Sequence, residues 1–396
     1  MSGIVLSASV RQNLLSLQST AELLSTTQNR LATGKKVNTA LDNPTNFFTA
    51  ASLDNRAGDI NNLLDGIGNG VQVLQAANTG ITSLQKLVDT AKSIAQQVLQ
   101  VPVGYSTKSS VTSDTNAGAT AANLLGGTKL AQGDVLTIAA TGGGTASSIT
   151  FGTGAAEVDT LAELNTALAA NNLQASVDDT TGKISITTTN DAASATVGAL
   201  GGTATGAGKA FLAANVTTVA KVADATSQAT RANLVAQYTN IIAQITTTAQ
   251  DSSYNGVNLL NGDNLKLTFN ETGKSTLNIT GVTFNAAGLG LSAVVAGTDF
   301  LDSSSANKAI TALSNASSSL RSQASSLGSN LSIVQIRQDF SKNLINVLQT
   351  GSANLTLADT NEEAANSQAL STRQSIAVSA LALANQSQQS VLQLLR

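Results

Sequence analysis

The chain of 396 residues contains no cysteine, no histidine and no tryptophan. Without histidine it has no imidazole base, and therefore no Ser-His-Asp or Cys-His arrangement. Without cysteine it has no thiolate nucleophile, zinc-thiolate site or disulfide. These absences exclude most familiar catalytic sites, and we predict a protein that is not an enzyme, with no catalytic residues, no metal and no cofactor.

Aromatic residues make up only 3% of the chain and charged residues only 11%. We therefore expect no large globular core, and long helices packed through Leu, Ile, Val and Ala are the natural way to bury surface. The net charge of −3 gives no electrostatic reason to expect nucleic acid as a partner. No run of 18 apolar residues occurs, so we expect no membrane insertion. The first residues, MSGIVLSASV, lack the basic start and apolar run of a Sec signal peptide.

Both ends of the chain carry apolar residues in a seven-residue frame, which is typical of a coiled-coil seam. Such a helix is marginal alone in water, because packing supplies most helical stability. We therefore predict that the two ends pair with each other and then pack against other copies of the chain. The predicted assembly seam consists of Val10, Leu14, Leu17, Leu24, Leu31, Val378, Leu381, Asn385, Gln388, Leu392 and Leu395.

Long helical patterns lie inside these ends. One runs between the only two prolines, Pro44 and Pro102, and is softened by three glycines near residue 68. A second pattern covers about six heptads from residue 306, which corresponds to roughly 60 Å of helix, and Gly351 is predicted to end it. A third spans 219–250. The apolar row of the first pattern is Leu53, Ile60, Ile67, Leu74, Ile81, Val88 and Ala95.

Two further segments carry strand and turn signals. Asn-Gly turns precede an alternating apolar pattern at 265–279, which predicts a β-hairpin. Between residues 105 and 219 the composition changes to Gly, Thr, Ala and Ser. There, Thr160 and Glu163 form a capping box that opens a short helix, and two strand patterns flank a turn at 179–182. This segment predicts an inserted domain, and its many hydroxyl side chains leave both a flexible spacer and O-linked glycan open.

These elements predict a mainly α fold: a long helical rod with coiled-coil termini, a β-hairpin and one inserted small α+β domain. The predicted division of the chain follows the composition. Terminal helices occupy 1–43 and 352–396; the rod occupies 44–104 and 220–351, with its hairpin at about 253–282; the inserted domain occupies 105–219.

Two sequence motifs at opposite ends of the chain resemble the bacterial flagellins. NRLATGKKVNTALDNPTNFFTAASL, from Asn29 to Leu53, resembles the N-terminal signature of that family. The segment from Asp359 to Arg396, which includes Ala384-Asn385-Gln386 and ends in VLQLLR, is similar to its C-terminus. SYNGVNLLNG at 253–262 resembles the turn before the family's hairpin, and the resemblance is weaker in the middle of the chain.

The resemblance implies a structural subunit that polymerises into the helical bacterial flagellar filament for motility. Such subunits are exported unfolded by the flagellar type III apparatus and reside in the extracellular filament. Their paired terminal helices line the filament channel. The implied partners are other copies of the chain, an export chaperone, the filament cap and hook-junction proteins.

One segment departs from the pattern of flagellins that an innate immune receptor senses. That segment aligns with residues 84–92, which read LQKLVDTAK here. The candidate receptor-contacting residues are Gln85, Lys86, Asp89 and Thr90. Those flagellins usually have an apolar residue at the position of Thr90. We therefore predict weak receptor activation.

Two alternatives remain open at this stage. A hook–filament junction protein shares the terminal motifs but forms a single ring. A secreted adhesin would bind a surface or glycan through the 105–219 segment, although the scarcity of aromatic residues there argues against a stacking sugar site.

Overall fold

The structure is a computed structural model, and it describes residues 8–394; the side chains of Ser9, Gln388 and 391–394 are not part of the description. Six α-helices occur in the described part of the chain: α1 (Ala8–Thr33), α2 (Pro44–Gln100), α3 (Leu161–Ala169), α4 (Ala225–Asp251), α5 (Ser303–Thr356) and α6 (Thr360–Leu394). The strands are β1 (Tyr105–Thr107), β2 (Ser110–Thr112), β3 (Val135–Ile138), β4 (Ser147–Thr150), β5 (Leu173–Asp178), β6 (Lys183–Thr188), β7 (Leu200–Gly201), β8 (Thr217–Val219), β9 (Val222–Ala223), β10 (Leu265–Thr268) and β11 (Thr276–Ile279). This composition confirms the mainly α fold.

Helix α2 begins at Pro44, where a proline loses no helical hydrogen bond. The Asn43 side chain caps it by accepting a hydrogen bond from the Asn46 N–H at 3.0 Å. The predicted apolar row is buried from Ile60 to Ala95. In the C-terminal half a second buried row runs beside it, at Ala77, Leu84, Ala91 and Val98.

Helix α5 continues past the residue that was expected to end it. It has 54 residues, or about 80 Å at 1.5 Å per residue, and Gly351 lies inside it. The prediction that Gly351 stops this helix was therefore wrong. A Cβ built on Gly351 would lie 3.5 Å from the Leu53 side chain, so packing against α2 offsets the weak helix propensity of glycine.

The predicted hairpin is confirmed, because β10 and β11 form a two-stranded sheet. The Asn-Gly turn ahead of it is present as well: Asn255 and Gly256 have φ values of 50° and 80°, and Tyr254 and Val257 bridge across them. Positive φ at both central residues is the geometry that Asn-Gly favours.

The segment between α2 and α4 contains three antiparallel sheets, ordered β1-β9, β5-β6-β2-β8 and β4-β3-β7. Thr160 and Glu163 form the predicted capping box at the start of α3. β5 and β6 pair in the register of Ala175 with Ile186. One apolar core joins the four-stranded and three-stranded sheets to α3, and its fully buried members include Phe151, Leu164, Leu168, Ile184, Ile186 and Phe211.

The chain divides into two compact units. One comprises the described residues of Met1–Val71, Lys266–Leu277 and Ser332–Arg396; the other comprises Gln72–Leu265 and Asn278–Leu331. In the first unit, the start of α2 packs on the end of α5 through Ala57, Ile60, Ile345 and Leu348. The division cuts through α2 and α5, and the domain limits inferred from the sequence stay a prediction.

Candidate assembly surface

Helices α1 and α6 pack against each other in the first unit, and a short backbone link joins their neighbouring ends. Lys35 and Leu357 form an antiparallel bridge. The Lys36 N–H donates to the Thr356 carbonyl at 2.7 Å, and the Ala358 N–H donates to the Gly34 carbonyl at 3.0 Å. Gly34 has a φ of 67°, the left-handed conformation in which glycine commonly ends a helix. The link therefore fixes where α6 begins relative to the end of α1.

The interface between α1 and α6 consists largely of small and polar side chains. The inward-facing residues of α1 recur every seven residues in two rows, one apolar and one polar. The apolar row is Val10, Leu17 and Leu24, and the polar row is Asn13, Thr20 and Thr27. On α6 the corresponding rows are Glu363, Leu370, Ala377 and Ala384, and Ser367, Gln374 and Leu381. Burial stabilises by roughly 25 cal/mol for each Å² of apolar surface. Because this interface buries little apolar surface, its hydrophobic stabilisation is small.

A single ion pair holds one end of this interface. Arg30 Nη1 lies 3.3 Å from Glu363 Oε1, and the Glu363 side chain is only 11% exposed. The Asp359 carbonyl and carboxylate accept backbone N–H groups at the start of α6. Arg30 Nε is buried without a hydrogen-bond partner. Beside this pair, Leu23, Arg30, Glu363, Asn366 and Arg373 line an open groove of about 520 Å³.

Large apolar side chains lie on the outside of both terminal helices. Leu15 of α1 is 65% exposed and Leu383 of α6 is 70% exposed. Among the described side chains of these two helices, the exposed large apolar residues are Leu14, Leu15, Leu23, Leu31, Ile376, Val378 and Leu383. Single exposed leucines are ordinary, but this number on two paired helices marks an interaction surface.

The predicted assembly seam is divided between these two environments. Val10, Leu17, Leu24 and Leu381 are buried or half-buried in the interface between α1 and α6. Leu14, Leu31, Val378 and Asn385 are exposed instead. The side chains of Gln388 and Leu392, and all of Leu395, lie outside the described residues. The function of these residues in assembly stays a prediction.

The sequence pattern missed Leu15, Leu23, Ile376 and Leu383, which are among the most exposed apolar residues of the terminal helices. They fall outside a seven-residue frame drawn through the leucines and valines. One signal in the sequence could have identified them: α1 carries more large apolar residues than one seam of two rows can hold.

The candidate receptor-contacting residues lie on α2 in the second unit. Lys86, Asp89 and Thr90 are exposed and Gln85 is half-buried, whereas the neighbouring Leu84 and Val88 are completely buried. The Thr90 hydroxyl donates to the Lys86 carbonyl at 2.8 Å. Thr90 therefore presents its polar group to its own helix.

Two other kinds of site have no support in the described part of the chain. None of its helices combines the length and the apolar character needed to cross a bilayer. No three acidic side chains there come together in a way that could hold a metal ion.

Comparisons with known proteins agree at both ends of the chain. The model of the bacterial flagellin N-terminal helical region matches residues 5–129, and that of the C-terminal helical region matches residues 310–395. Flagellins FljM and FljK of Caulobacter vibrioides are 34% and 33% identical over 155 residues, which are 39% of this chain and 55% of each relative. Flagellin A of Rhizobium meliloti is 40% identical over 77 residues, 19% of this chain and 20% of that protein. The chain thus spans about half the length of the first two relatives.

The two matched regions together cover more than half of the chain and contain α1, the whole of α2 and α6, and most of α5. They also contain every exposed apolar residue of the candidate assembly surface. The chain belongs to the bacterial flagellin family.

Proposed function

We propose that this protein is the structural subunit of a flagellar filament and that it polymerises through its terminal helices. The observation that carries the proposal is the arrangement of apolar residues on α1 and α6. The helices meet through a mixture of small, polar and apolar side chains, while seven further large apolar residues of the two helices are exposed. Burying one such side chain contributes about 1.5–3 kcal/mol. In the single chain these side chains stay exposed, so most of this stabilisation is gained only when they are buried against a partner.

The partner that fits this surface is another copy of the same chain. Its exposed apolar residues lie on several sides of α1 and α6, so they cannot all meet one partner in one plane. Contacts on several sides with different neighbours extend into an open helical polymer when the rotation does not close. The family name of the relatives, flagellin, supports a filament of this kind.

The remaining parts of the proposal follow from family membership. The filament lies outside the cell and serves motility, the subunit leaves through the flagellar type III apparatus, and an export chaperone, the filament cap and hook-junction proteins are its further partners. The role is structural and not enzymatic, in keeping with a sequence without histidine or cysteine.

In vitro assembly of the purified protein tests the proposal, with sedimentation and electron microscopy as readouts. The full chain is expected to form long helical filaments. Deletion of 364–396 should leave a soluble, helical monomer that does not polymerise. Fibres formed by the truncated chain would contradict the proposal, and closed rings from the full chain would favour the junction protein.

A matched pair of substitutions on α6 separates apolar contact from a general effect of charge. Leu383 is 70% exposed, and Ser379, one turn earlier, is exposed as well. Leu383→Asp is expected to raise the critical concentration for assembly by about tenfold, corresponding to about 1.4 kcal/mol. Ser379→Asp should change it much less. Equal effects of the two substitutions would show that the exposed leucine makes no apolar contact in the filament.

A further inference from the structure

A cavity of about 200 Å³ lies in the second unit, where α4, the start of α5 and the segment 292–299 meet. Val294, Ala309 and Ala312 form much of its apolar wall, and all three are half-buried. A protein cavity of about 150 Å³ can hold a benzene molecule. This cavity therefore has room for a small apolar group together with a polar head.

Tyr238 of α4 lines the cavity, and its side chain is only 1% exposed. Its ring meets that of Phe300 edge-on at 5.5 Å, but its hydroxyl forms no hydrogen bond with any described residue. Burial raises the pKa of Tyr238 to about 12, so the hydroxyl keeps its proton at neutral pH and can donate it. Because a buried Tyr O–H usually has a partner, this hydroxyl indicates that the cavity receives a hydrogen-bond acceptor.

Two side chains of opposite charge line the same cavity. Asp299 is half-buried, and its Oδ2 accepts the Val295 N–H at 2.7 Å. Lys308 lies in the second turn of α5 and is exposed. Neither forms an ion pair within the described part of the chain. A ligand with both a cation and an anion would pair with both side chains, whereas a ligand with one charge would leave one of them unpaired.

The backbone beside the cavity adopts a strained conformation at Phe300. Its φ of 59° is one that bulky residues rarely adopt. Hydrogen bonds hold it there, because the Phe300 carbonyl accepts from Arg231 Nη1 at 2.5 Å and its N–H donates to Ser305 Oγ at 2.8 Å. Strain of this kind clusters at functional sites and ligand clamps. It fixes the position of the neighbouring Asp299 at the cavity wall.

From these observations we infer that the cavity binds a small amphipathic zwitterion, of which a free apolar amino acid is the simplest. The ligand carboxylate meets Lys308 and the Tyr238 hydroxyl, its ammonium meets Asp299, and its apolar side chain packs against Val294 and Ala309. The inference goes beyond the proposed function and does not depend on it.

Ligand-observed NMR with the dilute full chain tests the site, and L-leucine is the first probe. A ligand of this size is expected to bind with a Kd on the order of 1 mM. Three matched probes each lack one part of leucine: 4-methylpentanoate lacks the ammonium, 3-methylbutylamine lacks the carboxylate and glycine lacks the apolar side chain. Each should bind at least about tenfold more weakly than leucine.

Substitutions locate the ligand within the fold. Tyr238→Phe keeps the ring, removes the donor and should weaken leucine binding about tenfold. Ala309→Leu fills part of the cavity and should abolish binding. Lys308→Met should weaken leucine binding as well, whereas Lys86→Met, which replaces an exposed lysine of the same unit, should not. Unchanged circular dichroism checks that each variant still folds.

Hydrogen exchange gives an independent readout on the unmodified chain. Leucine at ten times its Kd should slow exchange about tenfold in a peptide that covers 292–300, because exchange there then requires release of the ligand. A peptide in α3, which lies in the inserted segment, should exchange at the same rate with and without leucine.

Three results would overturn the inference. Absence of leucine binding to the unmodified chain would leave the cavity to water. Equal binding of leucine and 4-methylpentanoate would show that a carboxylate alone suffices. Leucine binding that is unchanged in both Tyr238→Phe and Ala309→Leu would place the ligand elsewhere. None of these results bears on polymerisation, so the proposed function is tested separately.

Discussion

Arg231 of α4 is a buried cation held almost entirely by backbone carbonyls, and its removal should be among the most damaging single changes in the second unit. Its side chain is 1% exposed. Nε donates to the Pro102 carbonyl at 2.6 Å, Nη2 to Val101 at 2.8 Å and Nη1 to Phe300 at 2.5 Å. Burial lowers the pKa of Arg231 while the Asp302 carboxylate opposes this shift, and arginine stays charged throughout the accessible pH range.

The guanidinium joins two chain segments, the one after α2 and the one before α5, through their backbone carbonyls. The segment after α2 meets the segment before α5 through the Gly104 N–H, which donates to the Leu301 carbonyl at 3.0 Å. In Arg231→Met the apolar stem is kept and the three carbonyls lose their donor. An unsatisfied buried polar group costs about 1–3 kcal/mol, and breaking a buried charge interaction costs about 3–5 kcal/mol. We therefore expect a loss of about 3–5 kcal/mol.

Hydrogen exchange measured by mass spectrometry is the suitable assay, because it reports local stability without requiring a two-state transition. Peptides that cover 97–107 and 297–305 should exchange roughly 100-fold to 4,000-fold faster, at about 1.4 kcal/mol per tenfold. Arg231→Lys should lie between the wild type and Arg231→Met, because a lysine ammonium cannot reproduce the planar fork.

The control is Arg321→Met, in which an exposed arginine of the same unit is replaced by the same residue. It should change stability by no more than about 0.5 kcal/mol. Exchange in the two peptides that is unchanged by Arg231→Met would refute the reasoning, since it would mean that water or relaxed backbone satisfies these carbonyls at little cost.

Three further predictions concern α2 and α4. Gly66→Ala, where an added Cβ meets nothing within 4 Å, should stabilise α2 by about 1 kcal/mol, whereas Gly70→Ala should destabilise it, because its Cβ would lie 2.4 Å from Leu267; urea unfolding followed by circular dichroism compares the two. Burial raises the pKa of Tyr238 to about 12, so the stability it contributes is present below pH 10 and is lost as the pH rises towards 12. Tyr238→Phe should therefore remove about 3 kcal/mol of alkaline destabilisation in unfolding curves measured across that range, and parallel curves for both proteins would contradict this. Finally, the segment 84–92 should activate an innate immune receptor weakly in a reporter-cell assay, and full potency would refute that prediction.

Local patterns in the sequence were sufficient to locate most elements. The row from Ile60 to Ala95 identified α2, the pair Thr160 and Glu163 identified the start of α3, and Asn255-Gly256 identified a turn. Each of these signals is written within a few residues, so neighbouring atoms decide the outcome. The family resemblance depended on local segments as well, since both motifs lie wholly within one end of the chain.

What the sequence determined by itself was the length and apolar content of the helices and the classes of chemistry excluded by the absence of histidine and cysteine. Only the tertiary structure decided which faces are used inside the chain. Residues at i+3 and i+4 lie on nearly the same side of a helix, so periodicity alone favoured Leu14 where the fold turns Asn13 inward. In the same way, only the fold shows that Gly351 continues a helix, that Arg231 is buried and that Tyr238 lines a cavity, because each of these depends on segments that are distant in the sequence.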